Sequence, residues 1–148
     1  MYSSLLIIHN LFRWIAFLLL LYAIYRAFTG YRSNNPFSAA DNSFRHWTAT
    51  VLQVQLMIGF ILYFNSPFVQ AYWNNSGDDT FFAIVHAALM FTAVTIVSVG
   101  SAMAKRKTTD LEKFKTMLTW FGIGLLIILI AIPWPFSPLA QRPYLRIS

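Results

Sequence analysis

Four long apolar runs, separated by short polar stretches, divide the chain: Ser4–Phe28, Phe44–Phe64, Thr80–Met103 and Phe114–Ile132. Each is close to the ~20 residues an α-helix needs to cross the hydrocarbon core of a bilayer. The pattern predicts an all-α integral membrane protein. A four-helix transmembrane bundle would form one domain over residues 1–148, with short connections and no room for a soluble domain.

Local signals place the ends of these spans. Gly30 is the expected stop of the first, and Ser38 with Asp41 three positions on forms a capping pattern for the second. Span two then enters the bilayer near Arg45-His46-Trp47. It ends at Asn65-Ser66-Pro67, where proline cannot continue a helix. Tyr72 and Trp73 suit headgroup depth, and Asp78, Asp79 and Thr80 are the expected cap of span three. Thr109 and Glu112 form a capping box before span four, which stops at Pro133-Trp134-Pro135. Small residues in span three (Ala83, Ala87, Ala93, Gly100) and the pair Gly122-x-Gly124 in span four read as sites of close helix packing. The tail from Phe136, with Pro138 and Pro143, is expected to be irregular and to lie along the membrane surface or a partner.

Composition agrees with the membrane reading. Hydrophobic residues make up 57% and charged residues 11%, against ~45–50% and ~25% in soluble domains. No basic residue precedes the first apolar run and no small-x-small pattern closes it, so span one is not expected to be a cleaved signal peptide. The absence of cysteine excludes disulfides, thiolate-held metals and thiolate catalysis in this chain. A net charge of +6 raises the question of nucleic acid, but the basic residues gather beside the spans, where they fit topology and anionic lipid. Arg26, Arg32, Arg45, Lys105, Arg106, Lys107, Lys113 and Lys115 border the first and third connections, whereas the second holds none. By the positive-inside rule both termini are expected on the non-cytoplasmic side.

Ionisable groups within the spans nominate a site, because burying charge in a bilayer is costly. His9 and Arg13 lie four residues apart on one face of span one, and His86 lies near the start of span three. With that topology, and ~1.5 Å rise per residue, His9 and His86 sit at similar depth in the outer leaflet. Two histidines at one depth on different helices are what a bis-histidine haem b requires, and Ala83 and Ala87 would leave room for a ring. Arg13, deeper than His9, could meet a haem propionate, a quinone carbonyl or a lipid phosphate. Propionates usually point to the nearer water, so its depth favours a quinone or structural role unless it snorkels outward.

Plainer uses compete with each of these. A histidine near a helix end often only hydrogen-bonds a neighbouring helix, and an arginine there often reaches headgroups. His46, beside Trp47 and without a depth-matched histidine, reads as interfacial. Gln53 and Gln55 are two positions apart, so at most one joins the histidine cluster. The predicted spans hold no Asp or Glu, so carboxylate proton pumping and aspartyl proteolysis lack their central group, and an enzyme acting alone is not expected.

The motifs His9-Asn10-Leu11-Phe12-Arg13-Trp14, Gln55–Pro67, Phe81–His86, Lys113-Phe114-Lys115-Thr116 and Ile132-Pro133-Trp134-Pro135-Phe136 give the chain a further context. Over nearly its whole length it resembles a group of short four-helix bacterial membrane proteins labelled cytochrome b or cytochrome b561-like. The resemblance implies a role in membrane electron transfer, with haem ligands drawn from the histidines. The leading expectation is a small b-type cytochrome-like subunit of a bacterial inner membrane that passes electrons between quinol and a partner complex, other membrane-protein subunits being expected as partners because the chain is small and has no extramembrane domain of its own. An alternative is a haem-free accessory subunit of a larger respiratory assembly that binds lipid. Relatives tend to carry a histidine where this chain has Gln53 and an acidic residue where it has Val85. If the span-two histidine is a ligand in relatives, its loss here would imply loss of haem.

Overall fold

A computed structural model describes residues 1–77 and 80–134. The expected cap at Asp78 and Asp79, and the tail from Pro135 with Pro138, Arg142, Pro143 and Arg146, lie outside the described residues. Among the described residues every regular element is helical: α1 (Tyr2–Ser33), α2 (Ala39–Asn65), α3 (Pro67–Trp73), a π-helical turn (Phe81–His86) that runs into α4 (Ala87–Arg106), and α5 (Asp110–Ala131). Four of these segments, counting the π turn with α4, are long and apolar enough to cross a membrane.

Consecutive long helices run antiparallel. α1 packs on α2 and α5, and α4 packs on α2 and α5, so α1 and α4 stand on one diagonal of a square. Leu20, Val97, Phe114, Met117 and Phe121 are fully buried along its axis. α4 and α5 approach most closely because glycine backbones receive side chains from the facing helix. Trp120 lies against Gly100 and Val97 against Gly124, where a Cβ would collide. Gly122 meets nothing within 4 Å, so of the expected glycine pair only Gly124 serves packing.

Helix ends follow local chemistry with two departures. Ser38 accepts from the Asp41 amide while the Asp41 carboxylate accepts from the Ser38 amide, completing the expected capping box. Thr109 caps α5 by accepting from the Glu112 amide, and its hydroxyl also donates to the Glu112 carboxylate. Gly30, expected to stop α1, instead lies inside it as a notch for the Phe114 ring. The stop falls at Asn34, which adopts the left-handed conformation (φ 49°) that asparagine tolerates. Thr80, expected to cap span three, makes no side-chain cap bond. α2 does end at the Ser66-Pro67 step, but Pro67, with φ preset for a first helical turn, starts the short α3 at once.

The bundle end carrying Arg26, Arg32 and Lys105 is held by polar contacts. Arg26 Nε donates to Asp41 Oδ1 at 2.7 Å, joining α1 to α2. Arg45, which the chain's charge pattern places at the lipid boundary, turns inward and is 5% exposed. Its guanidinium donates to Ser101 Oγ at 2.7 Å and Ser101 O at 3.0 Å on α4, and to Asn42 Oδ1 on its own helix.

Candidate functional site

At the opposite end the bundle is less tightly filled. A partly open cavity of about 190 Å³ runs from Tyr2, Ser66, Val69 and Pro133 at its mouth to Ala16, Leu52 and Val94 near the bundle centre. Roughly 150 Å³ suffices for a benzene ring in an engineered core, so the space takes at least one aromatic ring. Its walls are apolar except for a belt containing His9, Asn10, Arg13, Gln55 and His86. The sequence-nominated residues His9, Arg13 and His86 therefore face one cavity, the two histidines from diagonally opposed helices.

Each histidine is held from a neighbouring helix. His86 Nδ1 lies 2.7 Å from the carbonyl oxygen of Ala131 at the end of α5. A carbonyl only accepts, so Nδ1 carries a proton, and whenever the ring is neutral its lone pair lies on Nε2. The rings of Phe81 and Phe82, with centroids 5.9 and 5.8 Å away, flank it. The π turn delivers His86 to this position. Its wider winding is pinned where Tyr63 Oη donates to Ala83 O at 2.8 Å, while Trp73 Nε1 from α3 donates to Tyr63 Oη at 3.0 Å. Ala87 lines the cavity as expected beside His86, whereas Ala83 is buried and takes part through its carbonyl instead.

His9 is seated on α2. Gln55 Nε2 donates to His9 O at 3.0 Å and lies 3.2 Å from Nδ1 and 3.4 Å from Nε2 of the ring. One turn on, Gly59 leaves the space the ring edge uses: a Cβ there would meet His9 Cε1 at 3.4 Å. Gln55 Oε1 is buried and has no hydrogen-bond partner among the described residues. Arg13, half-buried one turn below His9, places its guanidinium 5.5 Å from the Trp14 ring centroid.

The remaining polar residues fall elsewhere. Gln53 is exposed and donates to Ser98 Oγ at 2.9 Å, so the two glutamines do separate and only Gln55 joins the cluster. His46 is exposed at the far end, its ring 5.5 Å from Trp47. No group of three or more histidine, cysteine or carboxylate side chains able to hold a metal ion occurs among the described residues. A haem needs only two.

The donor set is of the kind such a group uses, in a cavity of about 190 Å³. Two imidazoles face this largely apolar space, and His86 already gives its Nδ1–H to a carbonyl, the outer contact that fixes tautomer and orientation in metal-ligating histidines. Tyr63, Ala131 and Gln55 are the supports that residue type alone had not singled out for the site. Gln55 was visible in the period-2 argument, whereas the Ala131 contact is made by backbone and has no sequence signal.

The fold is that of a multi-pass helical membrane protein with a polar belt in a cavity at one bundle end. No protein-family model, curated protein or solved structure matches the chain.

Proposed function

We propose that the protein is a small b-type cytochrome-like subunit that passes electrons between a membrane quinol and a partner complex. His9 and His86 would hold haem b as axial ligands. Arg13 would meet a propionate or a quinone carbonyl. The observation that carries this reading is that the two histidines face one cavity from diagonal helices, with His86 Nδ1 spent on Ala131 O so that Nε2 remains as the donor atom. Haem, when bound, supplies one-electron iron chemistry whose potential the protein sets through ligands, hydrogen bonds and burial. The chain's own residues orient the imidazoles, exclude water with the phenylalanine rings of the π turn, and place a cation beside the cavity.

The reading includes a setting. By the positive-inside rule the basic residues clustered at the far bundle end would lie in the cytoplasm, and both termini and the cavity mouth would then face outward across a bacterial inner membrane. Lipid surrounds the bundle, other membrane subunits supply or accept the electrons, and nucleic acid has no part.

A haem-free accessory subunit of a larger membrane complex is the second reading. It is favoured by one observation: the Gln55 amide already lies within hydrogen-bond distance of the His9 ring, as it would around a histidine used only for packing. A reduced-minus-oxidised absorption spectrum of protein purified after expression with ample haem separates the two. A Soret and α-band change supports the cytochrome reading. Their absence, together with purification in a stable complex with other subunits, supports the accessory one.

A further inference from the structure

Gln53 stands near the midpoint of α2 (Ala39–Asn65), roughly 20 Å from either end at ~1.5 Å rise per residue. In a helix that crosses a hydrocarbon core about 30 Å thick, that is close to the bilayer centre. The side chain is nevertheless exposed, and it does not border the cavity. Its Nε2 donates to Ser98 Oγ on α4 at 2.9 Å, the one hydrogen bond of this side chain among the described residues. A second amide N–H and the amide oxygen remain unmet. Hydrocarbon supplies neither donor nor acceptor, so an amide held at that depth calls for a partner from another chain.

The seam between α2 and α4 around this amide permits a close approach. Thr95 and Ala102 flank Ser98 at helical spacing on α4, and both are small and exposed. The Thr95 hydroxyl is already spent on Phe91 O at 2.8 Å. Met57, one turn on from Gln53, is 64% exposed. Toward the cavity end the Phe60 and Phe91 rings meet across the same seam, with centroids 6.4 Å apart. Gln53 with Ser98 is therefore the polar point at the middle of a lipid-facing strip.

We propose that this seam is the interface of a two-fold homodimer in which Gln53 of one copy pairs with Gln53 of the other. The occupant follows from the chemistry of the amide, which is self-complementary. Each copy gives its remaining N–H to the other's amide oxygen, so one contact answers both unmet groups on both chains. A two-fold axis along the membrane normal keeps the copies in the same orientation and sets every residue against its own depth, which makes the contact isologous. A foreign helix would need a group that both donates and accepts at that one level. The proposal does not depend on haem.

The test uses the full-length protein carrying a single cysteine, Lys107→Cys, labelled with donor or acceptor dye and mixed in phosphatidylcholine vesicles over a range of protein-to-lipid ratios. Energy transfer then reports self-association, and a saturable dimer is expected. Gln53→Met keeps the length of the side chain and removes the amide. An interhelical hydrogen bond of about 1–2 kcal/mol corresponds to about 5- to 30-fold in association, so this variant is expected to dimerise at least about fivefold more weakly. Circular dichroism reports whether it folds. If it does not, crosslinking in the presence of the native Gln53 decides. A short bismaleimide is expected to capture Thr95→Cys, beside the seam, as a dimer, and to leave Ile123→Cys, exposed on α5 diagonally across from α2, as a monomer. A monomer at every ratio, an equally strong dimer in folded Gln53→Met, or capture through Ile123→Cys in place of Thr95→Cys overturns the proposal.

Discussion

His86 and Ala131 are joined through a side-chain nitrogen and a backbone carbonyl 2.7 Å apart, although 45 residues separate them in sequence. The contact ties the π turn that opens α4 to the last residue of α5. Because the carbonyl belongs to the backbone, substitution at Ala131 leaves the acceptor in place, and the relationship is tested from the histidine. In haem-loaded protein, His86→Ala is expected to abolish the Soret band. His46→Ala, at the far end against Trp47, is expected to leave it unchanged. Retention of the band in the first variant would show that the ligand pair is wrong.

Arg45 and Ser101 make a second long-range lock, at the opposite end of the bundle. Ser101 Oγ accepts from the guanidinium at 2.7 Å and is itself 3.3 Å from the Arg45 carbonyl. Arg45 is buried, so Ser101→Ala leaves one guanidinium N–H without an acceptor. Hydrogen bonds to charged groups contribute about 1.5–3 kcal/mol, and a loss in that range is expected in unfolding titrations with a denaturing detergent. An unchanged midpoint would mean that water or a headgroup reaches Arg45.

These two locks mark what the sequence makes legible and what it does not. The spans are readable because apolar runs of bilayer length have one common use, and the Ser38–Asp41 cap because its chemistry is local. The separation of Gln53 from Gln55 follows from helix periodicity. Arg45 is not readable in the same way: a basic residue at a span end looks lipid-facing, and its inward turn depends on a serine 56 positions away. Gly30 was a plausible stop by residue type, yet whether a glycine ends a helix or receives a ring is decided by Phe114 on another helix. The π turn has no residue signature. It is visible only once Tyr63 is seen donating to Ala83 O.

Glycine substitutions separate close packing from local propensity. Gly100→Ala drives a Cβ into Trp120 and Gly124→Ala drives one into Val97. Overfilling a packed contact costs about 1–3 kcal/mol, and both variants are expected to lose stability in that range. Gly122→Ala meets no atom within 4 Å and is expected to be neutral or to stabilise by up to about 1 kcal/mol through helix propensity. Equal losses at positions 122 and 124 would contradict the α4–α5 packing described.

Orientation in the membrane can be read directly because the chain contains no cysteine. Single cysteines placed at Ser3, before the cavity, and at Lys107, just beyond α4, lie at opposite ends of the bundle. With the basic end in the cytoplasm, a membrane-impermeant maleimide added to intact spheroplasts labels Ser3→Cys. Lys107→Cys reacts only after the membrane is permeabilised. The reverse labelling would invert the topology and place the mouth of the His9–His86 cavity on the cytoplasmic side, so that any quinol exchanging electrons there would release its protons inward.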